Sequence, residues 1–182
     1  MYKRQAAFLT GFGKDAINQW NYYLDYGLES QNIWQRSYVS LLGLLPSASP
    51  EVIYLQTSFD DGGETLSGNC SYTLSGEVPD ARYWSYAIYG NDNYYLQDPN
   101  SLLEQPTFDD LFAQVTNGSE LTTKIGESYI IKIDNNLINQ NGTLSHFGND
   151  FTLIYRIYGP NLNYYENPIS IPVASIINEG CK

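Results

Sequence analysis

The chain has few of the residues on which common enzyme and metal chemistry depends. Its 182 residues include one histidine, two cysteines and one methionine, and nine lysines and arginines face 20 acidic residues. With a single histidine, the chain has few side chains that can act as a general acid or base near neutral pH. Two cysteines alone cannot form a zinc site. No apolar run reaches about 18 residues, so no segment is predicted to span a membrane.

The shortage of cations is uneven along the chain. Residues 1–50 carry a net charge of +1 and the remainder carries −12, for a total of −11. An acidic body without a basic stripe repels phosphate backbones, so nucleic acid is not an expected partner. Hydrophobic residues make up 42% of the chain, including 17 tyrosines. This composition is typical of a folded chain, and the length predicts a single domain over residues 1–182.

Two patterns of periodicity divide the chain near residue 50. Apolar residues from 8 to 24 and from 34 to 45 recur at spacings of three and four, which predicts a helical segment over 1–46, packed on a sheet. Beyond it, alternating residues predict strands at 52–58, 69–74, 83–89, 128–133 and 151–158, with an edge strand at 169–173. The expected fold is α+β and mainly β: an antiparallel, jelly-roll-like β-sandwich over 51–175 with an N-terminal helical segment.

The cysteines and the glycosylation sequons bear on the compartment. Cys70 and Cys181 are either two free thiols or a disulfide, and a disulfide requires an oxidising compartment. Asn69, Asn117 and Asn141 each begin an Asn-x-Ser/Thr sequon. The first nine residues have two cations but no apolar run long enough for a secretory signal. A removed signal, another export route and an intracellular location all remain open, and the sequons favour the cell exterior or surface.

Acidic and aromatic residues in predicted loops are the candidate binding groups. Asp60, Asp61 and Glu64, with Asp92, offer hard oxygen ligands for calcium, although Asp-Gly sequences also form turns for conformational reasons alone. No other cofactor is expected. Three tyrosine pairs are candidates for stacking on sugars or for anchoring a protein interface: Tyr22 and Tyr23, Tyr94 and Tyr95, and Tyr164 and Tyr165. Ordinary core packing is the alternative for all six.

Three motifs carry a family resemblance. They are the turn Asp60-Asp61-Gly62-Gly63-Glu64, the strand Tyr83-Trp84-Ser85, and the ending Tyr155-Arg156-Ile157-Tyr158-Gly159-Pro160. With them, roughly residues 20–165 resemble the family catalogued as domain of unknown function 1214. The resemblance implies a jelly-roll-like β fold with flanking helices and no established activity. Two departures are His146-Phe147-Gly148-Asn149-Asp150, where members usually have a Trp-Leu-Pro-type segment, and a sequence without the companion domain of unknown function 1254.

No catalytic residue is assigned. His146 lies in a polar loop, and Cys70 lies in a predicted strand without a local partner. We therefore expect a non-enzymatic extracellular structural protein that self-assembles into a filament, tube or lattice, and so a homo-oligomer or polymer. The N-terminal segment and the tail from Asn161 to Lys182 are its expected contacts. The alternatives are a module that binds glycans or a small ligand, and a hydrolase whose carboxylates the sequence does not single out.

Overall fold

Strands dominate the described part of the chain. The computed structural model describes residues 15–31, 33, 36–37, 47–90, 115–117, 124–134, 143–145 and 150–181. Its strands are β1 (Asp15–Ile17), β2 (Trp20–Tyr23), β3 (Val52–Thr57), β4 (Cys70–Glu77), β5 (Ala81–Gly90), β6 (Val115–Asn117), β7 (Ser128–Asp134), β8 (Thr143–Ser145), β9 (Phe151–Pro160) and β10 (Ser175–Cys181). A short helix, α1 (Asn163–Glu166), and a 3₁₀ turn at Pro168–Ser170 separate β9 from β10. Within these ranges no helix is long and apolar enough to cross a membrane.

The strands form two sheets. The larger has six described strands in the order β1-β2-β3-β9-β5-β6, and the smaller has four in the order β10-β4-β7-β8. All neighbours are antiparallel except β7 and β8, which are parallel. Strand β9 pairs with β3 on one side and with β5 on the other, so the last long strand of the larger sheet occupies its centre.

The two sheets pack face to face on one apolar core. Alternation along β9 buries Phe151, Leu153, Tyr155 and Ile157, as expected for a strand with one face inward. Facing residues from the smaller sheet complete the same cluster, among them Tyr72, Leu74, Tyr129, Ile131, Ile133 and Ile176. The mainly β, antiparallel part of the predicted fold is therefore confirmed.

The predicted helix at the start of the chain is wrong over residues 15–23. Residues 15–23 form the hairpin β1–β2, whose turn includes Asn18 at a positive φ of 53°. The aromatic run Trp20–Tyr23 favours a strand over a helix because its rings fill the space between the sheets on alternate positions. Ile33, Arg36 and Ser37 have helical backbone, and the rest of the expected helical segment lies outside the described residues.

The final strand also differs from the prediction. Residues 169–173 do not form an edge strand, because a 3₁₀ turn covers Pro168–Ser170 and the chain becomes a strand only at Ser175. Pro168 and Pro172 lack the N–H groups that a ladder requires. Strand β10 pairs with β4 in register, with Ile176 opposite Leu74 and Cys181 opposite Cys70.

Asp61 closes the outer edge of β10. The Asp61 backbone N–H donates to the Ile176 carbonyl at 3.0 Å, and the Ile176 N–H donates to Asp61 Oδ1 at 3.0 Å. Ser175 Oγ donates to the other carboxylate oxygen. Further along, β10 has an irregularity between Asn178 and Gly180, and such bulges discourage pairing with another chain. The edge of the smaller sheet is thus closed to strand addition at both places.

Candidate functional site

The two cysteines meet across β4 and β10. Cys70 and Cys181 are joined as a disulfide in the structure, with their Cα atoms 3.9 Å apart. The partners are 111 residues apart in sequence and directly opposite in the strand register. The bridge fixes the exposed end of β10 to a buried position of β4.

The acidic turn makes hydrogen bonds within the protein. Asp60 is buried, and its Oδ1 accepts from the Glu64 N–H at 3.0 Å. The Asp61 carboxylate is engaged by Ser175 and Ile176. Among the described residues no group of three or more His, Cys, Asp or Glu side chains is arranged to hold a metal ion. Asp92, the fourth predicted ligand, lies outside the described residues.

The tyrosine pairs are split between core and partial exposure. Tyr23 is only 2% exposed and Tyr164 only 7%, so these two do not form an exposed stacking platform. Tyr22 and Tyr165 are partly buried against the core. Tyr94 and Tyr95 lie outside the described residues.

The sequons differ in what the structure describes of them. Asn69 is exposed in the turn before β4, where a glycan has room. Asn117 is the last residue of β6, for which only the backbone is described. Asn141 and the single histidine, His146, lie outside the described residues.

Aromatic rings with polar tips occupy the centre of the core. Tyr86 and Tyr155 stack with centroids 4.4 Å apart, and Trp84 stacks on Tyr129 at 4.7 Å. The hydroxyls of Tyr86 and Tyr129 are 2.7 Å apart, joining the two sheets. Burial raises the pKa values of the Tyr86, Tyr129 and Tyr155 hydroxyls, so all three stay neutral across the physiological range.

The Ala174 backbone links the N-terminal hairpin to this centre. Trp20 Nε1 donates to its carbonyl at 2.8 Å, and the Ala174 backbone N–H interacts with the Tyr86 hydroxyl. The Tyr155 hydroxyl, in contrast, is fully buried without a hydrogen-bond partner among the described residues. These groups serve packing and orientation, because no ionised partner accompanies them in the cluster.

The motif that ends β9 has a structural explanation. Gly159 has a φ of +55°, a left-handed conformation that favours glycine. A Cβ built there would lie 2.0 Å from Arg82 Nε, but Arg82 is exposed and its side chain can move away. Arg156 donates to the Tyr89 hydroxyl and lies 5.7 Å from the centre of the Tyr89 ring. The Tyr-Arg-Ile-Tyr-Gly-Pro sequence therefore contributes strand, ring contact and turn to the larger sheet.

A shallow polar depression lies beside the hairpin turn. It has a volume of about 390 Å³ and is lined by Asn18, Gln19, Asp61, Val173 and Ser175. Amide, carboxylate and hydroxyl groups converge there without a cation in the lining. Such a lining suits hydroxyl groups of a neutral ligand better than a phosphate.

Three loops meet at one end of the sandwich, here called the loop end: Glu77–Asp80, Lys124–Glu127 and Asn161–Ser170. The Gly126 N–H donates to the Val78 carbonyl at 3.0 Å, and the Asn161 N–H donates to the Asp80 carbonyl at 2.9 Å. The Asp80 N–H donates in turn to the hydroxyl of Tyr164, which is buried in the core. The β4–β5 connection thus holds the other two loops in fixed positions.

The loop end exposes large aliphatic side chains. Ile125 is 60% exposed, Leu162 68% and Ile169 81%. Its charged groups are mostly acidic: Glu77, Asp80, Glu127 and Glu166 stand against Lys124, which gives a net charge of −3. Exposed aliphatic groups on loops anchored to the core are typical of contact surfaces. Local sequence gave no signal for this cluster, because its loops come from three distant parts of the chain.

The fold defines the class of the protein: a two-sheet, disulfide-bearing β domain. The chain belongs to the family described as protein of unknown function (DUF1214), whose model matches residues 51–162. The family membership predicted from the motifs is thereby confirmed. No curated protein matches the chain.

Solved structures resemble the fold. The VPA0106 protein from Vibrio parahaemolyticus is 19% identical with a TM-score of 0.59, over 82% of this chain and 36% of that one. A putative uncharacterized protein from Burkholderia cenocepacia is 14% identical with a TM-score of 0.46, over 72% of this chain and 31% of that one. This chain thus spans about a third of the length of either protein.

Proposed function

We propose that the protein is a non-enzymatic structural subunit that self-assembles through its loop end. The observation that carries this proposal is the exposure of Ile125, Leu162 and Ile169 on loops anchored to the core. Fully burying an aliphatic side chain of this size contributes about 1.5–3 kcal/mol. Three of them supply a useful gross contribution, which the loss of translational and rotational freedom largely offsets. The association is therefore concentration-dependent.

The closed sheet edge supports contact through loops over contact through added strands. Asp61 occupies the outer edge of β10 at Ile176, and the irregularity near Gly180 disturbs the rest. Within the tail from Asn161 to Lys182, this favours the loop over the strand as the contact, since β10 is held in its own sheet by a disulfide and by edge hydrogen bonds.

The proposed location is the cell exterior or surface. The Cys70–Cys181 disulfide supports an oxidising compartment. The exposed side chain of Asn69 supports a glycan at that sequon. Treatment with an amidase that cleaves N-linked glycans tests the occupancy of the sequon, because it lowers the mass of a glycosylated protein. The Asn69→Gln variant is expected to lack the mass of the glycan at this position.

Sedimentation velocity and negative-stain electron microscopy of the full-length protein test the assembly. Sedimentation coefficients that rise with concentration, with filaments, tubes or lattices on the grid, are expected. A protein that sediments as a monomer at every concentration contradicts the proposal.

A second candidate function is the binding of a neutral polyhydroxylated ligand, favoured by the depression beside the hairpin turn. Asn18, Gln19 and Ser175 present amide and hydroxyl groups at its wall. Calorimetry against a panel of neutral glycans tests it, with Gln19→Ala as the variant expected to weaken any binding. Equal heats for that variant and the unmodified protein contradict this site.

A further inference from the structure

The loop end is acidic and exposes aliphatic groups, and the same sequence contains a segment that is basic and has apolar groups. Because the loop end has both acidic residues and exposed aliphatic groups, we expect it to bind a ligand that has cations next to apolar side chains. Association between two acidic loop ends is disfavoured, because like charges meet across the contact.

Residues 1–14 have the required composition. Lys3, Arg4 and Lys14 give this segment a net charge of +3 without an acidic residue, and Phe8 and Phe12 are among its apolar groups. The charge equals in magnitude the −3 of the loop end. No other stretch of this length in the sequence has three cations and no acid.

We propose that residues 1–14 of one copy bind the loop end of a second copy. This inference rests on the proposed function. It adds which two surfaces form the contact between copies and the direction of that contact. The contact is heterologous, because different surfaces meet, and repetition of such a contact produces a ring or an open filament.

The position of β1 sets where the segment joins the fold. Asp15, which follows the segment, begins β1 at one side of the larger sheet, four strand positions from β5. At about 4.8 Å per strand, this distance is about 19 Å. Fourteen extended residues span about 46 Å, so the chain length also permits binding within one copy, and a mixing experiment distinguishes the two arrangements.

The test compares variants of the full chain by sedimentation velocity. One variant, K3E/R4E, reverses charges of the segment, and the other, I125S/L162S/I169S, removes the aliphatic groups of the loop end. The control, I130S/I177S, changes two side chains of comparable exposure, 62% and 50%, in strands β7 and β10. Each test variant is expected to weaken self-association about tenfold or more, while the control associates like the unmodified protein. Added salt weakens the unmodified assembly.

Mixing identifies the copy that supplies the segment. The loop-end variant retains its segment and the segment variant retains its loop end, so their mixture forms heterodimers that do not grow further. A second arm adds E77K/E166K to the segment variant, and restored association is the expected result because the charges are again complementary.

The outcomes separate this inference from the proposed function. An unmodified protein that assembles, with a K3E/R4E variant that assembles equally well, overturns the inference and leaves self-assembly through the loop end standing. A loop-end variant that assembles equally well overturns both. Mixtures without heterodimers overturn binding between copies. An unmodified protein that is monomeric throughout overturns the proposed function and this inference with it.

Discussion

Replacement of a buried tyrosine by phenylalanine is expected to change the free energy of unfolding differently at three positions in the centre of the core. Tyr155 has a buried hydroxyl without a partner among the described residues, whereas Tyr86 and Tyr129 bond to each other at 2.7 Å. Leaving a polar group buried and unbonded costs about 1–3 kcal/mol. We therefore expect Tyr155→Phe to raise the free energy of unfolding by about 1 kcal/mol.

Tyr129→Phe and Tyr86→Phe are expected to lower the free energy of unfolding, and Tyr86→Phe is expected to lower it more. Tyr129→Phe removes one bond, but the Tyr86 hydroxyl keeps the Ala174 backbone N–H as a partner. Tyr86→Phe removes both bonds of that hydroxyl and leaves the Tyr129 hydroxyl buried. The costs are about 1 kcal/mol and about 2–3 kcal/mol respectively.

Urea unfolding of the three variants measures these differences, and an unchanged m-value shows that the unfolded state is comparable. The reasoning is refuted if Tyr155→Phe is destabilising by about 1 kcal/mol or more, since its hydroxyl would then be making a bond that stabilises the fold. It is equally refuted if Tyr86→Phe costs less than Tyr129→Phe.

Four further predictions concern the disulfide, a glycine, the edge and pH. Reduction with dithiothreitol lowers the free energy of unfolding by about 4–5 kcal/mol on a chain-entropy basis, because the bridge closes a separation of 111 residues; an unchanged urea midpoint contradicts this. Gly159→Ala and Gly63→Ala, both at positive φ, each cost about 1 kcal/mol in urea unfolding, because the exposed Arg82 side chain can move away from a new Cβ at position 159; a cost at Gly159 larger by about 2 kcal/mol would contradict this. Asp61→Ala frees the edge of β10, so light scattering shows faster aggregation than for the unmodified protein, and equal rates count against the edge role. Burial raises the pKa of Tyr129 above that of an unfolded tyrosine, so the unfolded state binds fewer protons above about pH 10 and stability falls by about 1.4 kcal/mol per pH unit for each such tyrosine; a flat stability profile to pH 11 would refute this.

The long strands were predictable because their signal is local. Alternation alone located β3, β5, β7 and β9, since each has one face buried along most of its length. The N-terminal hairpin was missed because Trp20 and Tyr23 are three residues apart, a helical spacing, whereas in β2 they face opposite sides of the sheet and are buried in two separate clusters. The strand is favoured by a contact with a residue far along the chain, because the Ala174 carbonyl accepts a hydrogen bond from the Trp20 indole.

The candidate surfaces depend on contacts that local sequence does not contain. Asp61 looked like a turn residue or a calcium ligand, and its role at the edge of β10 involves a residue 115 positions away. The loop end likewise requires the hydrogen bonds of Val78 and Asp80 to loops far along the chain. The pairing of the cysteines was left open for the same reason, because the register of β4 and β10 is not encoded near either residue.

The central position of β9 has a consequence for synthesis of the protein. Strands β3 and β5 leave the ribosome early, but the strand that joins them ends only at Pro160. Until then both present unpaired backbone groups and the apolar faces of Ile53, Leu55 and Tyr86. Contacts over such separations form slowly. Until β9 has been made, the nascent chain is therefore exposed to aggregation, and chaperones that shield unpaired strands are expected to determine its yield.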